Sequence, residues 1–145
     1  MAFGRSISAA PIAVISAGII GPQHAKTVMK NNEAKLVAVV DSSPAGSALA
    51  TELSVSNYTG VDNLLNSAEQ VDVAIICTPN HTHVHLATKF ASRVIHMMVE
   101  KPVSADVRSG QDLVLGQEQS PGRASSSVQP LYPANETSHI YRKDG

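Results

Sequence analysis

Five short strand-like runs, four of them apolar, separated by segments of helical length, constrain this 145-residue chain more than any other feature. They are Pro11–Ile15, Lys35–Val40, Ser56–Tyr58, Val71–Cys77 and Val94–Val99. Most are apolar at nearly every position, as a strand must be when both of its faces are covered, and that is the condition of a parallel sheet between helical layers. The intervening segments, Ile19–Lys30, Ser43–Leu53, Asp62–Asn66 and Thr82–Phe90, carry helical spacing. Right-handed crossovers then predict an α/β fold, a doubly wound parallel sheet of five strands.

Local signals agree with this alternation. Pro22 falls in a first helical turn, where its missing N–H has no intrahelical partner to lose. Ser43 followed by Pro44 offers a cap and a first-turn proline. Ser104 is expected to cap a last helix, with Asp106 in its first turn, running to about Leu115. Residues 1–10 are expected to be flexible, and residues 116–145, with Pro121, Pro130, Pro133 and a serine run at Ser125–Ser127, to form a disordered tail.

Composition narrows the partners. Hydrophobic residues are 43% of the chain, enough for the core of one domain, and the length leaves no room for two. A formal net charge of -1 without a dense Lys/Arg cluster gives no footprint for nucleic acid or an anionic membrane, so small molecules or protein are expected. Cys77, the single cysteine, can form no internal disulfide and reads as a small packed residue. The apolar stretch Ile12–Ile20 is too short to span a bilayer. A cytoplasmic, soluble protein is the expectation.

The chemistry-bearing residues gather at the ends of the apolar runs. Gly18-Ile19-Ile20-Gly21 is the last part of a G-x-G-x-x-G turn between strand and helix, where backbone approaches a pyrophosphate and a helix amino terminus stabilises its charge. The alternative use of these glycines is close helix–strand packing. Ser16 stands at the first glycine position and fits if its backbone keeps a negative φ. Asp41, ending the second run, is placed to accept hydrogen bonds from an adenosine ribose; with only Ser42 and Ser43 after it, NAD is favoured over NADP. Otherwise Asp41 simply opens the next turn.

Histidines at 81, 83 and 85 allow a metal reading, with His81 and His85 four apart on one helical face; no cysteine or carboxylate nearby completes a set, and no metal site is expected. A histidine at the mouth of a nucleotide cleft serves as a polar contact instead. His24 and His96 read as packed or surface residues. Glu100-Lys101-Pro102 closes the fifth run, either as a solvated strand terminus or as a cleft pair in which a partly desolvated lysine exchanges a proton with a substrate hydroxyl during hydride transfer.

In order and spacing, Ile19-Ile20-Gly21-Pro22-Gln23-His24-Ala25, Val37–Asp41, Cys77-Thr78-Pro79-Asn80-His81-Thr82-His83 and His96–Pro102 resemble the Gfo/Idh/MocA oxidoreductase family. Asn80–His85 and Lys101–Val107 further resemble quinate-utilisation oxidoreductases of that family. The resemblance covers about residues 11–115 and implies an NAD(P)-binding Rossmann domain. It puts the proton-transfer lysine at Lys101, the nicotinamide-side contacts at Thr78, Pro79, Asn80 and His83, and a further cofactor contact at Glu100.

Members of that family continue through a sixth strand into a substrate domain, and nothing after Leu115 resembles either. The chain is therefore expected to be truncated, binding NAD but turning over a polyol, sugar or cyclic hydroxy acid weakly or not at all. The alternative is a non-catalytic dinucleotide-binding or interaction module. In both cases the fifth strand, left at the sheet edge, is a candidate for pairing with a second copy.

Overall fold

The computed structural model describes residues 8–104, 106–108 and 110–111. Strands β1 (Ala10–Ile15), β2 (Ala34–Val40), β3 (Ser56–Tyr58), β4 (Val73–Ile76) and β5 (His96–Val99) form one sheet in the order β3-β2-β1-β4-β5. Every pairing is parallel. Helices α1 (Gly21–Met29), α2 (Pro44–Leu53), α3 (Val61–Leu65) and α4 (His83–Ser92) connect them, with a single 3₁₀ turn at Asn80–Thr82 before α4. This is the expected doubly wound α/β sheet, Rossmann-like in its order. Among the described residues no helix is long and apolar enough to cross a membrane.

Alternate residues of β1 serve two separate cores. Ala13 and Ile15 pack with Ala38, Val40, Ala74 and Ile76 under Leu64, Ala87 and Phe90 of α3 and α4. Val14 packs on the opposite face with Val39 and Ile75 under Ala25 and Val28 of α1 and Leu49 and Ala50 of α2. The β1–β2 register slips between Ile12, opposite Leu36, and Ala13, opposite Ala38, leaving Val37 as the extra residue of a bulge. Because side chains alternate along a strand, that one residue lets Leu36 and Val40 point into different cores.

Element ends differ from expectation by a residue or two. Val71, Asp72 and Cys77 lie outside the fourth strand, and Val94 and Ile95 outside the fifth. Ser43 is the N-cap of α2, with Pro44 after it, but makes no side-chain cap bond. The Ser104 hydroxyl donates to the Asp106 carbonyl. The expected last helix is helical at residues 107, 108, 110 and 111, and its end at Leu115, like the expected tail 116–145, lies outside the described residues.

The end of α4 explains the shorter fifth strand. Ile95 N–H donates to Phe90 O and Val94 N–H to Ala91 O, the paired bonds of a helix terminus that requires a left-handed residue. That residue is Val94, at φ 59° and 64% exposed. A β-branched side chain is strained there and gains nothing from burial. Val94→Gly is expected to raise folding stability by about 1 kcal/mol, read as a higher urea midpoint at unchanged slope.

Candidate functional site at the carboxyl edge of the sheet

Parallel strands deliver the residue after each strand to the same edge. The ladder runs one step past the regular strands: Ser16 N–H donates to Val40 O, Cys77 N–H to Ile15 O, Glu100 N–H to Ile76 O and Asp41 N–H to Tyr58 O. Ser16, Asp41, Cys77 and Glu100 therefore form one row. At a strand spacing of about 4.8 Å, the glycine turn after β1 and the Glu100–Lys101 turn after β5 lie roughly 10 Å apart. The order reverses between β1 and β4, where α1 and α4 leave for opposite faces, and such a switch point opens a crevice.

The glycine turn is held from two directions. Gly21 is buried, and a Cβ on it would stand 1.9 Å from the Ser16 carbonyl oxygen, so α1 starts against the end of β1 as only glycine permits. Ala17 N–H donates to Asp41 Oδ2 at 2.7 Å. Ile20 is the N-cap of α1 with no side-chain cap, and the N–H groups of Ile19 and Ile20 have no partner among the described residues. Both residues are exposed.

Asp41 joins two turns. Its Oδ1 accepts from Ser43 N–H at 2.7 Å, so each carboxylate oxygen holds one backbone donor, and the Ser43 hydroxyl also bonds this carboxylate. Burial pushes its carboxyl up, but the bonds from Ser43 and Ala17 outweigh this and hold it below the usual carboxylate range. Gly46 of α2 packs so tightly here that a Cβ would lie 2.6 Å from Asp41 Cβ.

Glu100 bonds His24 Nε2 through Oε1 at 2.5 Å and accepts Lys101 N–H at Oε2. The His24 bond first, then the Lys101 N–H, holds its carboxyl below the usual range. His24, which reads in sequence as a packed or surface residue, instead ties α1 to the end of β5 across 76 positions. Neither this pair nor the Gly46 contact has a signal in local spacing. Cys77, half-buried beside this row, has its thiol pushed up to about 11 by burial and by the Glu100 charge, and so stays a packed thiol at neutral pH.

Three expectations need correction. Ser16 has φ 90°, in the left-handed region rather than the negative one, because the turn that seats Gly21 beneath its carbonyl is the glycine turn. Lys101 is exposed rather than partly desolvated, since the described residues build no wall over it; its peptide to Pro102 is cis. His83 lies beneath the cleft, 1% exposed, with Nε2 2.6 Å from Thr78 O and Nδ1 3.1 Å from Pro102 O. Its partners only accept, so the ring donates one bond in either neutral tautomer and both as an imidazolium.

Thr78, Pro79 and Asn80 form the turn between β4 and α4, and the Thr82 hydroxyl braces it against Thr78 Oγ1 and Pro79 O. His81 and His85 are exposed while His83 is buried, so the three imidazoles diverge. Among the described residues no three His, Cys, Asp or Glu side chains converge as a metal set would.

Residues 11–125 match the oxidoreductase family with an NAD-binding Rossmann fold, GFO_IDH_MocA. An inositol 2-dehydrogenase of Rhizobium meliloti is 36% identical over 93 residues, 64% of this chain and 28% of that protein. The structure of a myo-inositol dehydrogenase from Corynebacterium glutamicum superposes with a TM-score of 0.70 at 26% identity, over 76% of this chain and 33% of that one. GenD2 from gentamicin A biosynthesis, solved with NAD, gives 0.72 at 25% identity, over 77% of this chain and 32% of that one. The chain thus spans less than half the length of each.

Proposed function

This chain belongs to the Gfo/Idh/MocA oxidoreductase family, and we propose that its carboxyl-edge crevice binds NAD for the oxidation of a CH–OH group. The observation that carries this reading is the glycine turn itself. Gly21 seats the amino terminus of α1 against the end of β1, and the Ile19 and Ile20 N–H groups, unpaired among the described residues at this uncapped helix start, fit a pyrophosphate. Gly18, Ile19, Ile20 and Gly21 would hold the phosphates, and the Asp41 carboxylate the adenosine ribose. No cation follows Asp41 in its turn, which favours NAD over NADP.

A bound nicotinamide supplies a hydride acceptor. Around it, Thr78, Pro79, Asn80 and Glu100 would line the crevice, His83 would set its floor, and Lys101 would exchange a proton with the substrate hydroxyl at Nζ. The exposure of Lys101 leaves room for a substrate to cover it. The names of the relatives make cyclic polyols and sugars the substrate class to try first. A cytosolic location, and a second copy paired along β5, complete the reading.

Calorimetric titration with NADH tests the proposal. One site is expected, weakened about tenfold for NADPH because the 2′-phosphate meets the Asp41 carboxylate. A flat titration of demonstrably folded protein overturns cofactor binding. Reduction of NAD by myo-inositol, lost in Lys101→Ala with NADH binding kept, supports the proton role; binding without turnover confines the chain to holding the cofactor.

A further inference from the structure

Ser16 does more at the first glycine position than tolerate it. At φ 90° its side chain is swung over the turn, and its hydroxyl accepts Gly18 N–H at 3.2 Å. The atom nearest to the place of a Cβ on Gly18 is this same oxygen, at 3.3 Å. A glycine at 18 exists in such a turn so that a pyrophosphate can approach the backbone. Here the space it leaves is faced by a hydroxyl.

The donors of the turn are thus unequally available. Ala17 N–H is committed to Asp41, Ile19 and Ile20 N–H groups are unpaired among the described residues, and Gly18 N–H is taken by Ser16 Oγ. A phosphate oxygen arriving at Gly18 would exchange a neutral acceptor for a charged one. That exchange is favourable, since charge-assisted bonds are the stronger, but it gains less than a vacant N–H would.

We infer that Ser16 is an internal occupant of the phosphate cradle: its hydroxyl stands where a phosphate oxygen would bond, and so sets a weaker, more readily exchanged hold on the dinucleotide. This rests on the NAD-binding reading above and adds to it the residue that tunes affinity. The competitor belongs to the chain and acts only on phosphate-bearing ligands. Adenosine, which reaches the Asp41 end without a phosphate, should not sense it.

The test is titration of wild type, Ser16→Gly and Ser16→Ala with NADH, ADP and adenosine. Ser16→Ala keeps the Cβ and the strained backbone but removes the oxygen, whereas Ser16→Gly removes both. Each variant is expected to bind NADH and ADP about fivefold more tightly than wild type, the worth of one modest hydrogen bond, and adenosine unchanged. A faster release of NADH from wild type should account for most of the difference.

Equal affinities across the three proteins overturn the role of Ser16 while leaving NAD binding intact. Weaker binding by Ser16→Ala also overturns it, because the hydroxyl would then be donating a hydrogen bond to the phosphate. Tightening by Ser16→Gly alone assigns the effect to backbone strain and not to the hydroxyl. Silence from all three folded proteins removes the cofactor site and this inference with it.

Discussion

Gly21→Ala is expected to lower folding stability by about 3 kcal/mol and to abolish NADH binding in whatever protein still folds. The added Cβ would stand 1.9 Å from the Ser16 carbonyl oxygen and 2.9 Å from its carbonyl carbon. Both are backbone atoms of the residue that continues the β1 ladder through its bond to Val40 O, so they cannot swing aside as a side chain would. Either α1 lifts from the sheet, uncovering Ala25 and Val28, or the turn opens and the Ala17 bond to Asp41 breaks. Gly18→Ala is the control. Its Cβ would meet only the Ser16 hydroxyl at 3.3 Å, so a stability change under about 1 kcal/mol is expected. A Gly21→Ala protein with the wild-type urea midpoint would refute the tight-approach account of this turn.

His83→Ala should be nearly as damaging, at about 3 kcal/mol, for a different reason. The ring is buried and bridges Thr78 O, at the end of β4, to Pro102 O, beyond β5. Alanine leaves a cavity and removes the ring donor that faces these carbonyl oxygens. His83→Phe refills the space but not the bonds, and about 2 kcal/mol of loss should remain. If phenylalanine restores wild-type stability, the ring acts by volume alone. A positioning role has a further signature: His83→Phe should shift NADH affinity and the reactivity of Lys101 towards an amine reagent, because the turn carrying Lys101 is no longer held to the turn carrying Asn80.

Much of the fold was legible along the chain. Strands buried on both faces are apolar at nearly every position, and Val14, Val39 and Ile75 stand in one core while their neighbours Ile15, Val40 and Ile76 stand in the other. That requirement is local, so it appears in the residue order. The candidate residues read as a set for a related reason: in a parallel sheet every strand ends at the same edge, and Asp41, Thr78 and Glu100 each follow an apolar run. Where local and global preference disagreed, reading along the chain failed. Val94 and Ser16 occupy left-handed positions that their own chemistry disfavours, and the packing of α4 and of Gly21 imposes them.

Residue order thus established a five-stranded parallel sheet, the glycine turn and the acid that follows the second strand, because periodicity and turn chemistry act over a few neighbours. Tertiary structure alone decided that His24 holds Glu100, that His83 lies beneath the crevice instead of lining it, that Gly46 seats α2 on Asp41, and that the Ser16 hydroxyl faces Gly18. Two of these join elements brought together only when the crossovers close, and the other two, Gly46 on Asp41 and the Ser16 hydroxyl at Gly18, lie within single strand-to-helix turns whose backbone angles the packing of the helix sets. Contacts of that kind leave no period in a sequence.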